Sequence, residues 1–394
     1  MKLRQFIPEL AKQARRVTMF LVVAASSCVA MQAFAKEPIR IGTVMSITGN
    51  ISYLGDAEKK SLDMMVDEVN KKGGVLGRQL ELVFYDDASN PERARTMMQR
   101  LLTQDRVSVV IGASSTSSTM AMESLANRYG VPQVSMAGAR IITEPVKKWL
   151  FAVPESDVMT ARVTYEYMKK HGISKVALLC SSAGFGRAAR DVFMEKAKEY
   201  GIKVVMDETY ALGDTDMTAQ LTRIRGNAEV QAIINLDAGN QPAIVARNRA
   251  ALGMKVPHYV DHGHADFEFA KLAGQAGDGM RMPAASMVVA DQLPEGSTER
   301  KLGMAFRKLY LNRYNNQPGI FGGYAHDALL VVVDAIRRAG SDDPAAIRNA
   351  LEQTRGLVGV TSTFTYGPSN HGGVVEKSGM RMVEIRDGGF VLLD

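Results

Sequence analysis

Residues 39–74 read IRIGTVMSITGNISYLGDAEKKSLDMMVDEVNKKGG, and this stretch decides the class of fold. Ile39, Ile41 and Val44 open an apolar strand that gives way to a polar run containing Ser46, Thr48, Gly49 and Asn50. Beyond it, Leu62, Met65, Val66 and Val69 recur at helical spacing, while Asp63, Asp67, Glu68 and Lys71 take the remaining faces. Gly73 and Gly74 end the helix. A strand, a polar loop and a helix N-terminus make a ligand-facing corner of an α/β sheet, because ligands gather outside the carboxyl ends of parallel strands.

The residues before this corner read as an export signal. Lys2, Arg4, Lys12, Arg15 and Arg16 form a basic region, Met19 to Ala25 an apolar one, and Ala33-Phe34-Ala35 a small-residue cleavage site, so cleavage after Ala35 and a periplasmic location are expected. Arg15-Arg16 leaves both general and twin-arginine export open. Removing residues 1–35 takes five of the 48 basic and one of the 42 acidic residues, leaving 43 against 41. The mature chain is then close to neutral, which excludes a nucleic-acid footprint. It retains one cysteine, Cys180, in an apolar run that reads as core, so its stability rests on packing and not on a disulfide.

From there strands and helices alternate with short polar connections, the pattern of parallel sheets covered on both faces. Strands are expected over residues 79–85, 107–111, 131–135, 175–180, 203–210, 230–236 and 257–260, with helices between them. The pattern restarts near residues 151–157, which suggests two lobes of similar size. Three helices and three short strands, the last two joined at Asp387-Gly388-Gly389, fill the final third.

Enzyme motifs are scarce: the phosphate loop, the nucleophile elbow and the two-histidine zinc helix are all missing. His262-Gly263-His264 lacks a third ligand nearby, so no metal is expected. Asp86-Asp87, at a strand end, reads as a turn or cap. The strongest constellation is the hydroxyl run from Ser114 to Thr119 between a buried strand and a helix. One of these residues would cap the helix, and the others exceed what capping needs, which points to an anion, a carboxylate more than a phosphate. Tyr53 and Phe185 sit near strand ends where a closing cleft has its walls, although plain packing explains an aromatic there equally well.

In order and spacing, several short motifs then make the whole mature chain resemble the periplasmic leucine/isoleucine/valine-binding protein family. They are Ile41-Gly42 with Ser46-x-Thr48-Gly49, Tyr53-x-Gly55, Asn70-x-x-Gly73-Gly74-x-x-Gly77-Arg78, Tyr85-Asp86-Asp87, Val110-Ile111-Gly112, Gly130-Val131-Pro132, Gly184-Phe185-Gly186 and Tyr324-Ala325-x-Asp327-Ala328. The resemblance implies an α/β type I periplasmic-binding-protein fold: two doubly wound lobes joined by three crossings, near residues 151–157, 284–290 and 358–364. The lobes would comprise residues 36–153 with 287–358, and 154–286 with 359–394.

It also implies a solute-binding component of an ABC importer, a monomer needing neither cofactor nor catalysis, that serves an inner-membrane permease and traps a small carboxylated solute such as a branched-chain amino acid. Thr116, Ser117 and the loop Ala137, Gly138 and Ala139 would hold the carboxylate, Tyr53 and Phe185 would wall the cleft, and Asp237, Asp261, His262 or His264 would read the far end. This chain departs from the amino-acid binders at Ala139, where a threonine is usual, and at Phe185, where a phenol is usual. Its partner for an ammonium group is not evident either, so an aromatic or other organic acid is the alternative ligand. A ligand-sensing domain and an exported enzyme are the lesser alternatives.

Overall fold

The computed structural model describes residues 37–375 and 379–393; the signal and its cleavage after Ala35 lie outside the described residues. The opening stretch forms β1 (Ile39–Met45) and the helix Ser52–Lys71. Every residue of β1 except Arg40 is buried, as a central strand covered on both faces requires. It pairs in parallel with β2 (Leu80–Asp86) on one side and β3 (Val109–Gly112) on the other. With β4 (Gln133–Ser135) and β5 (Leu150–Ala152), the first sheet runs β2-β1-β3-β4-β5.

A second sheet repeats this order. It is built from β6 (Lys175–Ser181), β7 (Lys203–Tyr210), β8 (Ala232–Leu236), β9 (His258–Val260) and β10 (Arg281–Ala285). Its parallel part runs β7-β6-β8-β9-β10, and two more strands extend it beyond β10. Along the chain between β10 and these two come β11 (Leu357–Val358) and β12 (Thr363–Phe364), a separate antiparallel pair. The added strands β13 (Met380–Arg386) and β14 (Gly389–Leu392) are antiparallel and joined by the hairpin read from Asp387-Gly388-Gly389. In both sheets the strand order reverses beside the first strand, between β1 and β3 and between β6 and β8. Loops diverge at such switch points and leave a crevice. The expected doubly wound α/β architecture is present in both lobes.

Three features depart from expectation. The stretch from 265 to 292, expected to hold no regular element apart from a crossing, contains the helix Phe267–Ala273 and the fully paired β10. Leu150–Ala152, expected as connection, is an edge strand of the first sheet. Residues 359–375, expected as a crossing and with the second lobe, lie with the first: Val360 N and Thr361 N donate to Asp327 on the helix Ile320–Ala339. Tyr366 Oη donates to the Ala152 carbonyl at 2.9 Å, Ala152 N donates to the His371 carbonyl at 3.0 Å, and the His371 ring stacks on Phe151. These partners are distant in sequence, so no local pattern announces them. The chain joins the second sheet only at β13.

The helix Ile320–Ala339, apolar over most of its surface, packs across Ser52–Lys71 and belongs to the largest core cluster. Tyr314 Oη reaches the Lys60 carbonyl at 2.7 Å and fixes the preceding helix, Thr298–Tyr314, to the same lobe. Among the described residues no helix is long and apolar enough to cross a membrane.

Candidate functional site

The two switch points face each other across a cleft with about 370 Å³ of space between its atoms, open solvent included. Its first-lobe wall comes from the β1, β3 and β4 loops, and its second-lobe wall from the β6, β8 and β9 loops. Tyr53, Thr116, Ala137, Gly138, Phe185, Asp237, Asp261 and His262 all line it, as the sequence suggested.

Three of these residues, read from the sequence as lying near strand ends or in the run between a strand and a helix, stand in the first turn of a helix: Tyr53 in Ser52–Lys71, Thr116 in Thr116–Tyr129 and Phe185 in Gly184–Glu199. Three helix N-termini therefore converge on the cleft. No side chain caps the first or the third; in the first, Ser52 N and Leu54 N bond the Gly49 and Ile51 carbonyls, while the opening turn of each still carries the partial positive end of the helix dipole. In the second, Ser115 is the cap and accepts from Ser118 N at 3.2 Å. The capping role thus falls to Ser115, which leaves Thr116 uncommitted. Its Oγ1 is buried and has no hydrogen-bond partner.

Ser117, Ala139 and His264 do not line this cleft. Ser117 lies against Gly184 on the opposite lobe, where an added Cβ would stand 2.3 Å from its Oγ, so it closes the lobes against each other. Ala139 lines a neighbouring, larger hollow, beside Ser156 and His371. His264 is fully buried one layer behind the wall. Its Nε2 bonds the Gly239 carbonyl at 3.0 Å, and its Nδ1 lies 3.2 Å from Asp261 Oδ1.

The two second-lobe carboxylates are engaged from within. Asp237 accepts from Tyr210 Oη at 2.9 Å and from the N–H groups of Ala238 and Gly239 at 2.7 and 3.1 Å. Asp261 accepts from Asp237 N and Gly263 N, each at 3.0 Å, and pairs with His264. Burial pushes the Asp261 carboxyl up, but the charge and hydrogen bonding of His264 outweigh it, and the group stays below the usual carboxylate range. For His264 burial pushes down and Asp261 pushes up further, so the imidazolium is favoured.

His262 has the opposite character. Burial lowers it to about 4, so it is neutral at ordinary pH. Its Nδ1 meets Thr160 Oγ1 at 2.8 Å, and that hydroxyl already donates to the Ser156 carbonyl. Thr160 therefore accepts from Nδ1–H, and Nε2, the end nearest Gly138, is left as an acceptor. The His262 ring also meets Phe185 edge to face at 6.0 Å.

Sequence reasoning missed much of the wall. Phe321 and Tyr324, from the helix Ile320–Ala339, close one side; Phe321 meets Tyr53 edge to face at 6.1 Å. Leu54, Met136, Pro154, Ala238 and Gly263 complete it. Tyr324 lay within a quoted motif, whereas nothing in the sequence marked Phe321. Ser114 and Ser115, inside the hydroxyl run, also line the cleft.

The lobes touch around the cleft. Arg140 pairs with Glu195 at 3.0 Å, and Tyr53 Oη approaches the Ala238 carbonyl at 3.4 Å. Among the described residues no cluster of His, Cys, Asp and Glu is arranged to hold a metal.

A mainly apolar cleft between two lobes, with helix N-termini aimed into it from both sides, is the architecture of a two-lobed solute-binding protein. The chain belongs to the periplasmic binding protein family, whose model matches residues 38–389. It is 25% identical over 342 residues to the leucine-, isoleucine-, valine-, threonine- and alanine-binding protein of Pseudomonas aeruginosa, covering 86% of this chain and 89% of that one. The structure superposes on an extracellular ligand-binding receptor from Rhodopseudomonas palustris HaA2 with a TM-score of 0.84, 28% identity, and 90% of this chain and 99% of the other covered. It also superposes on LivJ, the branched-chain amino acid transporter substrate binding protein of Streptococcus pneumoniae, solved with isoleucine. There the TM-score is 0.80 at 26% identity, with 90% and 99% covered. These relatives are solute-binding proteins, not enzymes, and membership of the family implies export to the periplasm.

Proposed function

We propose that this chain is the solute-binding component of an ABC importer of the branched-chain amino acid type, closing on a small carboxylated solute with an apolar body. The observation that carries the reading is the unpartnered Thr116 hydroxyl, buried where three helix N-termini converge. A carboxylate there gains charge-assisted hydrogen bonds and a favourable dipole field. Tyr53, Phe185, Phe321 and Tyr324 enclose the body of the solute, and His262 accepts from a donor at its far end. Contacts from both lobes give the closed form its higher affinity. The mature protein, cleaved after Ala35, acts as a monomer and presents this form to a membrane permease.

Leucine, isoleucine and valine are the first solutes to test, since the relatives bind them by name. An aromatic or other organic acid is the second reading, favoured by a specific observation. Asp237 and Asp261 each already hold three internal partners, so an α-ammonium group would have to compete for what acceptor capacity they have left. A thermal-shift panel separates the two. A raised Tm with the branched-chain amino acids supports the first, and a raised Tm with aromatic acids alone supports the second. No shift with any carboxylated solute overturns both.

A further inference from the structure

Beneath the cleft lies a buried polar cluster that this reading does not use. Glu58, on the helix Ser52–Lys71, is fully buried and hydrogen-bonded through Oε2 to Ser114 Oγ, while its Oε1 has no partner. Ser114 lines the cleft and also accepts from Ser46 N at 3.0 Å. Ser46 Oγ in turn donates to Asp87 Oδ1 at 2.7 Å.

A hydroxyl has one proton and two acceptor positions. If Glu58 is ionised it can only accept, so Ser114 must donate to it, and what Ser114 offers the cleft is a lone pair. If Glu58 is a neutral acid it donates to Ser114 Oγ. Both acceptor positions are then filled, by Glu58 and by Ser46 N, and the Ser114 proton is free to point into the cleft.

We propose that Glu58 is a positioning residue that, as a neutral carboxylic acid, donates to Ser114 and thereby makes the Ser114 hydroxyl a second donor for the bound carboxylate. The proposal rests on the reading of the cleft as a carboxylate site. Its consequence is that solute binding is linked to one proton on Glu58.

The surroundings favour the neutral acid. Burial raises Glu58 to about 8, the Ser114 bond opposes this, and the charge of Asp87 adds to it. Asp87 faces it from the loop after β2, and Ser61, one turn along, is buried. On the helix packed across, Asp327 is held by Val360 N, Thr361 N, Thr361 Oγ1 and His326. Lys59 and Lys60 are paired with Asp63 and Asp56 on the outer face.

Calorimetric titration with L-leucine and with phenylacetate, between about pH 6 and 9.5, tests this. For whichever acid binds, Kd of the unaltered protein should rise above the Glu58 titration, towards about tenfold per pH unit. Glu58→Gln cannot ionise and should show no such rise; the titration of leucine's own ammonium is common to both proteins and cancels. Ser114→Ala should bind more weakly with an equally flat profile. A flat profile in the unaltered protein, or a rise shared by Glu58→Gln, overturns the proposal. Should Glu58→Gln fail to fold, a rise persisting in Ser114→Ala overturns it instead. If neither acid binds, the titration is run with the acid that raises Tm most in the thermal-shift panel; no binding by any acid of the panel at any pH overturns the functional reading and the proposal together, whereas binding without a Glu58-dependent slope overturns the proposal alone.

Discussion

His264 Nδ1 stands 3.2 Å from Asp261 Oδ1, with both side chains buried. The other ring nitrogen is tied to the Gly239 carbonyl, so the imidazole braces two cleft-lining loops, those after β8 and β9, from behind. Two residues along the chain, His262 faces the cleft as a neutral ring. One His-Gly-His motif thus supplies one wall residue and one buried partner for Asp261.

This pair makes stability depend on pH in a defined window. The folded state raises His264 and lowers Asp261. The His264 contribution is full below its unfolded value near ~6.5 and is lost as pH rises through the folded value. The Asp261 contribution is full above about 4 and is lost as pH falls through its folded value. Asp261→Asn should therefore cost roughly 3 kcal/mol at about pH 5.5, by stranding a buried cation, and less at alkaline pH. Urea unfolding of both proteins at the two pH values checks this; an equal cost at both would remove the ion pair.

Thr116 and Ser115 divide binding from stability. Thr116→Ala removes an unpartnered hydroxyl and should weaken a carboxylated solute by roughly 1–3 kcal/mol while leaving Tm of the ligand-free protein nearly unchanged. Ser115→Ala removes the helix cap and should cost about 1 kcal/mol of stability. Calorimetric affinity and denaturant midpoints, measured on both variants, should show this crossover.

Gly138 sits where the first crossing passes the cleft. A Cβ there would stand 2.5 Å from the Glu155 carbonyl oxygen and 3.1 Å from His262 Nε2. A backbone oxygen cannot turn away, so Gly138→Ala should cost about 1–3 kcal/mol and weaken solute binding. Gly184→Ala meets the rotatable Ser117 hydroxyl instead and should be milder. Comparable losses in both, by thermal unfolding and titration, would contradict this ordering.

Cys180 is fully buried on β6, and burial pushes its thiol well up. It should resist alkylation in the folded protein and react only on unfolding. Peptide mass spectrometry after iodoacetamide treatment, with and without urea, gives the answer.

The alternating elements and the hydroxyl run were legible because each is a local pattern of periodicity or composition. Tyr53, Thr116 and Phe185 could be named because strand-to-helix junctions mark the cleft side of an α/β sheet, although all three proved to be helical. Phe321 could not be named. It lies on an apolar helix far along the chain, and only the packing of that helix across Ser52–Lys71 brings it to Tyr53.

The sequence by itself determined the two-lobed α/β class, since hydrophobic periodicity and junction chemistry act over a few residues. Tertiary structure alone decided which hydroxyl is left free, which histidine faces the cleft and which carboxylates are already engaged. Each depends on hydrogen bonds closed between distant segments, such as Asp237 to Asp261 and Glu58 to Ser114, and burial makes an unmatched polar group at those positions costly.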